Sequence, residues 1–125
     1  METLTQLTMT ELAAGLDDIR QAPSDNGVLK LIVRRPQVDE REQLTEATLS
    51  LEDGLVGDTW KMRGSKAMPD GSANLEAQIT VMNSRAIALF AQAESRWELA
   101  GDQLFVDFSL DVDNIPPGTQ LAIGS

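Results

Sequence analysis

Neither cysteine nor histidine occurs in the 125 residues of this chain. Their absence removes disulfides, thiolate nucleophiles, persulfide carriers, the common zinc sites and the usual imidazole base. Any chemistry rests on carboxylates, lysine, arginine, hydroxyls or the backbone. No run of about 18 apolar residues is present, so no segment reads as a membrane-spanning helix. The opening stretch METLTQLTMTELAAG also lacks the basic start and apolar core of a secretory signal. A cytoplasmic location is the resulting expectation.

Positive charge is scarce too. Ten Lys and Arg face twenty Asp and Glu, a net charge of −10. Nucleic acid and anionic membrane both require a positive field and are poor partners for such a surface. A chain of this length fits one domain, 1–125, that buries roughly two-thirds of its unfolded surface.

What is present reads in order as follows. Thr10 can cap a helix from Glu11 to about Gln21, with Leu12, Leu16 and Ile19 on one stripe. Gly15 weakens that helix by up to about 1 kcal/mol relative to alanine. Pro23 to Gly27 ends it, and Val28 to Arg34 reads as a buried strand closed by Pro36. Gln43 to Leu51 alternates imperfectly and predicts a second strand. Ser50 to Asp53 has the spacing of a capped helical turn, stopped by Gly54. Residues 61–77, KMRGSKAMPDGSANLEA, are rich in turn formers and predict a long loop. Gln78 to Met82 predicts a strand, and Asn83 can cap an apolar helix from Ser84 to about Glu94. From Leu104 to Val112 the apolar residues Leu104, Val106, Phe108, Leu110 and Val112 alternate with Phe105, Asp107, Ser109 and Asp111. That period predicts a strand with one buried and one wet face. Two prolines, Pro116 and Pro117, stop it, and Thr119 to Ile123 predicts a last short strand.

Two patches carry a family resemblance. Ala100-Gly101-Asp102-Gln103-Leu104, Val106-Asp107, Ile115-Pro116-Pro117-Gly118-Thr119 and Leu121-Ala122-Ile123-Gly124 form one; Gly54-Leu55-Val56-Gly57-Asp58 forms the other. In this order they resemble the MOSC domain, the module named after the C-terminal part of molybdenum cofactor sulfurases. The Gln78-Ile79-Thr80 and Met82-Asn83 positions are similar to a bacterial subgroup of that family. The resemblance extends from about Val28 onward. It implies a mainly β fold with two flanking helices, an incompletely closed MOSC-type barrel. The alternative architecture is an α+β open sheet covered by helices.

The resemblance further implies binding of molybdenum cofactor (molybdopterin) or a related phosphate-bearing molecule, and in the family sulfur transfer through a cysteine that follows the region matched here. The residues expected to contact such an anion are Asp58, Lys61, Arg63, Ser84 and Arg85, with Lys66 in the same basic loop. Family members often place Arg directly after the Asp, whereas here Thr59 and Trp60 follow and Arg63 comes later. On charge pattern alone solvated loop charges are the better explanation of Lys61, Arg63 and Lys66, and the resemblance brings the two readings level. Asp58 can equally cap or fix its loop. Arg34 and Arg35 at a strand end read as snorkelling or paired. Asp107, Asp111 and Asp113 offer oxygen ligands for Mg or Ca, and also read as a wet strand face. Trp60 and Trp97 read as core or rim residues.

No Lys or Arg follows Arg96, whereas Glu98, Asp102, Asp107, Asp111 and Asp113 do. This acidic stretch is the expected surface for a basic protein partner or a second copy. Three functions stay open from sequence: a cofactor-binding MOSC-like module, a non-catalytic ligand- or protein-binding domain, and the N-terminal part of a longer MOSC domain.

Overall fold

A computed structural model describes residues 7–37, 39–64, 68–74 and 77–124. The elements are α1 (Met9–Arg20), β1 (Val28–Arg34), β2 (Glu42–Leu44), β3 (Leu49–Ser50), β4 (Gly54–Leu55), α2 (Trp60–Arg63), β5 (Val81–Asn83), α3 (Ser84–Ala91), a 3-10 helix (Glu94–Ala100) and β6 (Leu104–Asp107). Four strands form one mixed sheet in the order β2-β1-β6-β5, with only β5 and β6 parallel. β3 and β4 form a separate antiparallel ribbon. The architecture is therefore an α+β open sheet with flanking helices. Among the described residues β2 and β5 are free edges, so the sheet does not close into a barrel.

β6 is interior to the sheet, and that overturns the expectation of a wet face. Leu104, Phe105 and Val106 are all buried, Phe105 completely. Phe105 packs with Val33, Ile87 and Trp97, its ring centroid 5.9 Å from that of Trp97. Leu104 packs on the opposite face with Ile32 and Leu55. Both faces are covered because α3 and the 3-10 helix lie on one and the β3–β4 ribbon on the other. A strand covered twice loses its alternation signal.

The strand also ends at Asp107 rather than Val112. Beyond Asp107 its neighbour is the turn before β1: Ser109 N donates to Pro23 O at 2.8 Å, and Asn114 Nδ2 donates to Ser24 O at 3.1 Å. Thr119 to Ile123 forms no strand, since no described strand lies beside it to complete a ladder. Leu121 and Ile123 remain exposed.

Other boundaries move for local reasons. α1 starts at Met9 because Thr8, not Thr10, is the cap: Thr8 Oγ1 accepts from Glu11 N, and Glu11 Oε1 accepts from Thr8 N. This reciprocal box satisfies two orphan donors. Gly15 has a packing role beyond its helix cost. A Cβ there would come 2.5 Å from Leu89 Cδ1, so glycine permits the close approach of α1 to α3.

β1 has the expected bounds, yet only Ile32 and Val33 are buried. The predicted Gln43–Leu51 strand is two strands in two sheets, β2 and β3. Ser50 Oγ does accept from Glu52 N and Asp53 N, but it closes the β3–β4 turn rather than a helical one. The predicted strand over 78–82 is shorter and later, at Val81–Asn83, and the expected loop begins as one helical turn, α2. Asn83 caps α3 as expected, its Oδ1 accepting from Ala86 N at 3.0 Å, while its Nδ2 holds Phe108 O. α3 stops at Ala91 because Gln92 takes φ 66°. The chain then turns into the 3-10 helix that buries Trp97. No described helix is long and apolar enough to cross a membrane.

Candidate anion-binding site

Arg34 is the last residue of β1 and Arg35 follows it directly; Arg34 lies near Val56, whereas Arg35 lines a depression with Val33. Arg34 pairs with Glu42 at 2.6 Å and reaches Val56 O with Nη1 at 3.4 Å. Gly57 makes room for it: with φ 90°, any Cβ at Gly57 would run into the Arg34 guanidinium. The tight turn places Asp58 against the end of β1.

Asp58 is a clamp. Its Oδ1 accepts from Arg35 N at 2.7 Å and its Oδ2 from Trp60 N at 2.9 Å, while Thr59 N donates to Arg35 O at 2.9 Å. Hydrogen bonds from backbone donors to a carboxylate are among the stronger ones. They lock the Gly54–Asp58 segment to β1 and set the direction of Arg35.

A second segment arrives from the 3-10 helix. Gly101 takes the left-handed φ of 88° that ends this helix, and Asp102 and Gln103 lead into β6. Gln103 is buried and fixed on both sides: its Oε1 accepts from Thr80 N at 2.9 Å, and its carbonyl accepts from Val33 N at 2.8 Å. Asp102 is thereby presented toward the end of β1.

These segments enclose a shallow, open depression lined by Val33, Arg35, Arg41, Asp58, Glu98, Gly101, Asp102 and Gln103. Among the described residues it gathers two arginines and three acidic residues. The guanidiniums of Arg35 and Arg41 make no ion pair or hydrogen bond with any described residue, and Arg41 Nε is buried without a partner. A buried N–H without a partner costs about 1–3 kcal/mol and is relieved by an acceptor. Burial raises the Asp102 carboxyl above the usual range. The described lining therefore offers guanidinium donors and carboxylate acceptors to a polar group at its mouth.

Of the residues expected from sequence, Asp58 is the one among the described residues that lines this depression. Lys61 lies on α2 beside the β3–β4 turn, its Nζ 3.4 Å from Asp53 and 3.5 Å from Glu52. The hydrogen bond that Lys61 donates to Asp53, and then the charge of Glu52, raise its pKa. Arg85 lies on α3, its Nε donating to Asp107 Oδ1 at 2.8 Å and its Nη1 to Asp18 O at 3.0 Å. The hydrogen bond with Asp107 raises its pKa. Ser84 is buried at the start of α3. α2 follows the ribbon on the Leu55 face of the sheet and α3 covers the Phe105 face, so Lys61 is not brought together with Ser84 and Arg85. The Arg63 side chain and Lys66 lie outside the described residues.

Arg35 and Arg41 were not expected at an anion site, and Glu98 and Asp102 were expected only in the acidic stretch offered to a basic partner. The adjacency of Arg34 and Arg35 carried part of the signal, since two neighbouring residues at a strand end cannot share one acid on one face. Arg41 carried none. Among the described residues no group of three acidic side chains is placed to hold a metal ion. Comparison of the chain with family models, with curated proteins and with solved structures finds no match in any of the three.

Proposed function

We propose that this chain is a MOSC-like binding module for a small oxyanionic ligand, with the phosphate of a molybdopterin-type cofactor as the ligand that the resemblance favours. The observation that carries this reading is a convergence. Asp58 from one resembling patch and Gly101, Asp102 and Gln103 from the other lie far apart in sequence yet line one depression with the unpaired Arg35 and Arg41. On this reading the four-stranded sheet and the β3–β4 ribbon are parts of a MOSC-type barrel that these strands leave open.

The donor set fits a phosphate. A guanidinium presents a planar fork of N–H donors that matches two oxygens of an oxyanion, and two such forks satisfy a dianion. When bound, a molybdopterin cofactor would supply the metal chemistry, while Arg35 and Arg41 bind and orient its phosphate. Sulfur transfer requires a thiolate, and none of these 125 residues supplies one. The residues present bind; no group-transfer step is assigned to them.

Calorimetric titration with inorganic phosphate tests the reading. The wild-type chain is expected to bind, and Arg35→Ala and Arg41→Ala are each expected to weaken binding at least about tenfold, a loss of about 1.4 kcal/mol. Their thermal midpoints should stay near that of the wild type, because neither side chain has a described partner to lose. Unchanged phosphate affinity in both variants would remove the site.

A further inference from the structure

Asn26-Gly27 is the one Asn-Gly pair in the chain, and the fold exposes it in the turn between α1 and β1. Asparagine is among the chemically labile residues. Its lability is greatest before glycine, because a following residue without a Cβ lets its amide nitrogen approach the asparagine side chain. Two things can prevent that approach, a bond that holds the carboxamide and a bond that holds the nitrogen. Neither is present here: the Asn26 carboxamide and the Gly27 N–H have no hydrogen-bond partner among the described residues. Only the Asn26 N–H is engaged, donating to Asp25 Oδ1 at 2.9 Å. Asn83 and Asn114 are the contrast. Asn83 Oδ1 accepts from Ala86 N and its Nδ2 donates to Phe108 O, while Asn114 Nδ2 donates to Ser24 O and Ser109 O. Asn74, Asn83 and Asn114 are also followed by Leu75, Ser84 and Ile115, each of which carries a Cβ.

The inner side of the same turn is seated on the chain around the end of β6. Pro23 O accepts from Ser109 N at 2.8 Å, and Val28 pairs with Asp107. A Cβ on Gly27 would lie 2.6 Å from Asp107 O and from Phe108 Cβ, so the main chain at Gly27 has no space to move inward.

We propose that Asn26 is a site of spontaneous deamidation in the folded protein, and that its isoaspartyl product loosens the seat of this turn on β6. Gly27 N gives up its proton and bonds to Asn26 Cγ. The Cγ–Nδ2 bond breaks, and the amide nitrogen leaves as ammonia with that proton. Water then opens the five-membered succinimide at one of its two carbonyls, with no change of oxidation state. Opening at Cγ gives aspartate on an unaltered main chain. Opening at the Asn26 carbonyl carbon gives isoaspartate, whose main chain runs through Cβ and Cγ and is one carbon longer between residues 26 and 27. That extra carbon falls where Gly27 is confined by Asp107 and Phe108. Aspartate is better tolerated: Asn26 has φ 51°, a left-handed conformation that Asp adopts much as Asn does. Both products add one negative charge beside Asp25 to a chain of net charge −10.

Ageing of the purified chain in mildly alkaline buffer, followed by tryptic mapping, tests the proposal. Cleavage after Arg20 and Lys30 releases residues 21–30, whose sole asparagine is Asn26. This peptide should separate with time into aspartyl and isoaspartyl forms, while the peptides that carry Asn74, Asn83 and Asn114 stay intact. The aged chain should melt at a lower temperature than the fresh chain. Freshly made Asn26→Asp should melt with the fresh wild type, and Asn26→Gly, which keeps the left-handed turn and lacks the carboxamide, should not change on ageing. A 21–30 peptide that stays intact in the folded chain over the time in which the urea-unfolded chain converts it would overturn the site. Isoaspartate formation with an unaltered melting temperature would overturn the loosening.

Discussion

Arg85 and Arg35 are the same side chain in two opposite conditions. Arg85, at the start of α3, is held by Asp107 of β6 and by the carbonyl and carboxylate of Asp18 in α1. It fastens a helix. Arg35, at the end of β1, has its backbone clamped by Asp58 while its guanidinium makes no bond to a described residue. One arginine has its acids supplied by the fold, and the other has its main chain fixed and its charge left over. In a chain with twice as many acids as bases, two arginines that line one depression without a described partner single out a candidate site more sharply than a count of basic residues does.

Removing the wall between the two regions should have the largest effect. Phe105 is completely buried among Val33, Ile87 and Trp97. Phe105→Ala is expected to cost about 3–5 kcal/mol, read as a lowered denaturant midpoint. Phosphate binding and α1 docking should fail together; retention of full stability would contradict the packing described.

A sharper cut separates the regions. Arg85→Ala leaves the half-buried Asp107 without its partner and removes the bonds that tie α3 to Asp18 of α1, a helix none of whose residues is fully buried. Trypsin should then cleave after Arg20 faster than in wild type, while phosphate affinity is unchanged. Arg35→Ala should give the reverse pattern. A loss of phosphate binding in Arg85→Ala would return that residue to the ligand site that the resemblance implies.

The smallest effect concerns Asp102 without ligand. Burial raises its folded-state pKa, so the native chain binds the proton more tightly than the unfolded one. Stability contributed by this group is then greatest in acid and falls as pH rises through the folded-state pKa. Asp102→Asn removes the penalty. A small rise in thermal midpoint at neutral pH, vanishing in mild acid, is the expected outcome; the same midpoint at both would show that the carboxyl is not desolvated.

Much of the fold was legible in the chain. The bounds of β1 followed from an apolar run between Asn26-Gly27 and Pro36, and the Asn83 cap followed from its position before an apolar helix. The Thr8–Glu11 box was equally readable from its spacing, and Thr10 offered a competing cap two residues on. The run from Leu104 to Val112 misled because an alternating pattern describes compatibility with a sheet and says nothing of how far a partner extends. Half of the clamp that builds the site was visible as Gly57-Asp58. Its other half, the main chain of Arg35, offers no side-chain signature at all.

The sequence by itself determined the chemistry that the chain can hold: no thiolate, no imidazole, an acidic surface, and a few arginines able to meet an oxyanion. It also determined the local elements whose caps and turns lie within a few residues of one another. Only the tertiary structure decided that β6 is covered on both faces, that Arg85 and Lys61 are paired, and that Arg35, Arg41 and Asp102 share one depression. The physical reason is range. Capping and turn formation depend on neighbours along the chain, whereas pairing and burial depend on which distant segments the sheet order brings together, and a carboxylate in contact is what turns a binding guanidinium into a structural one.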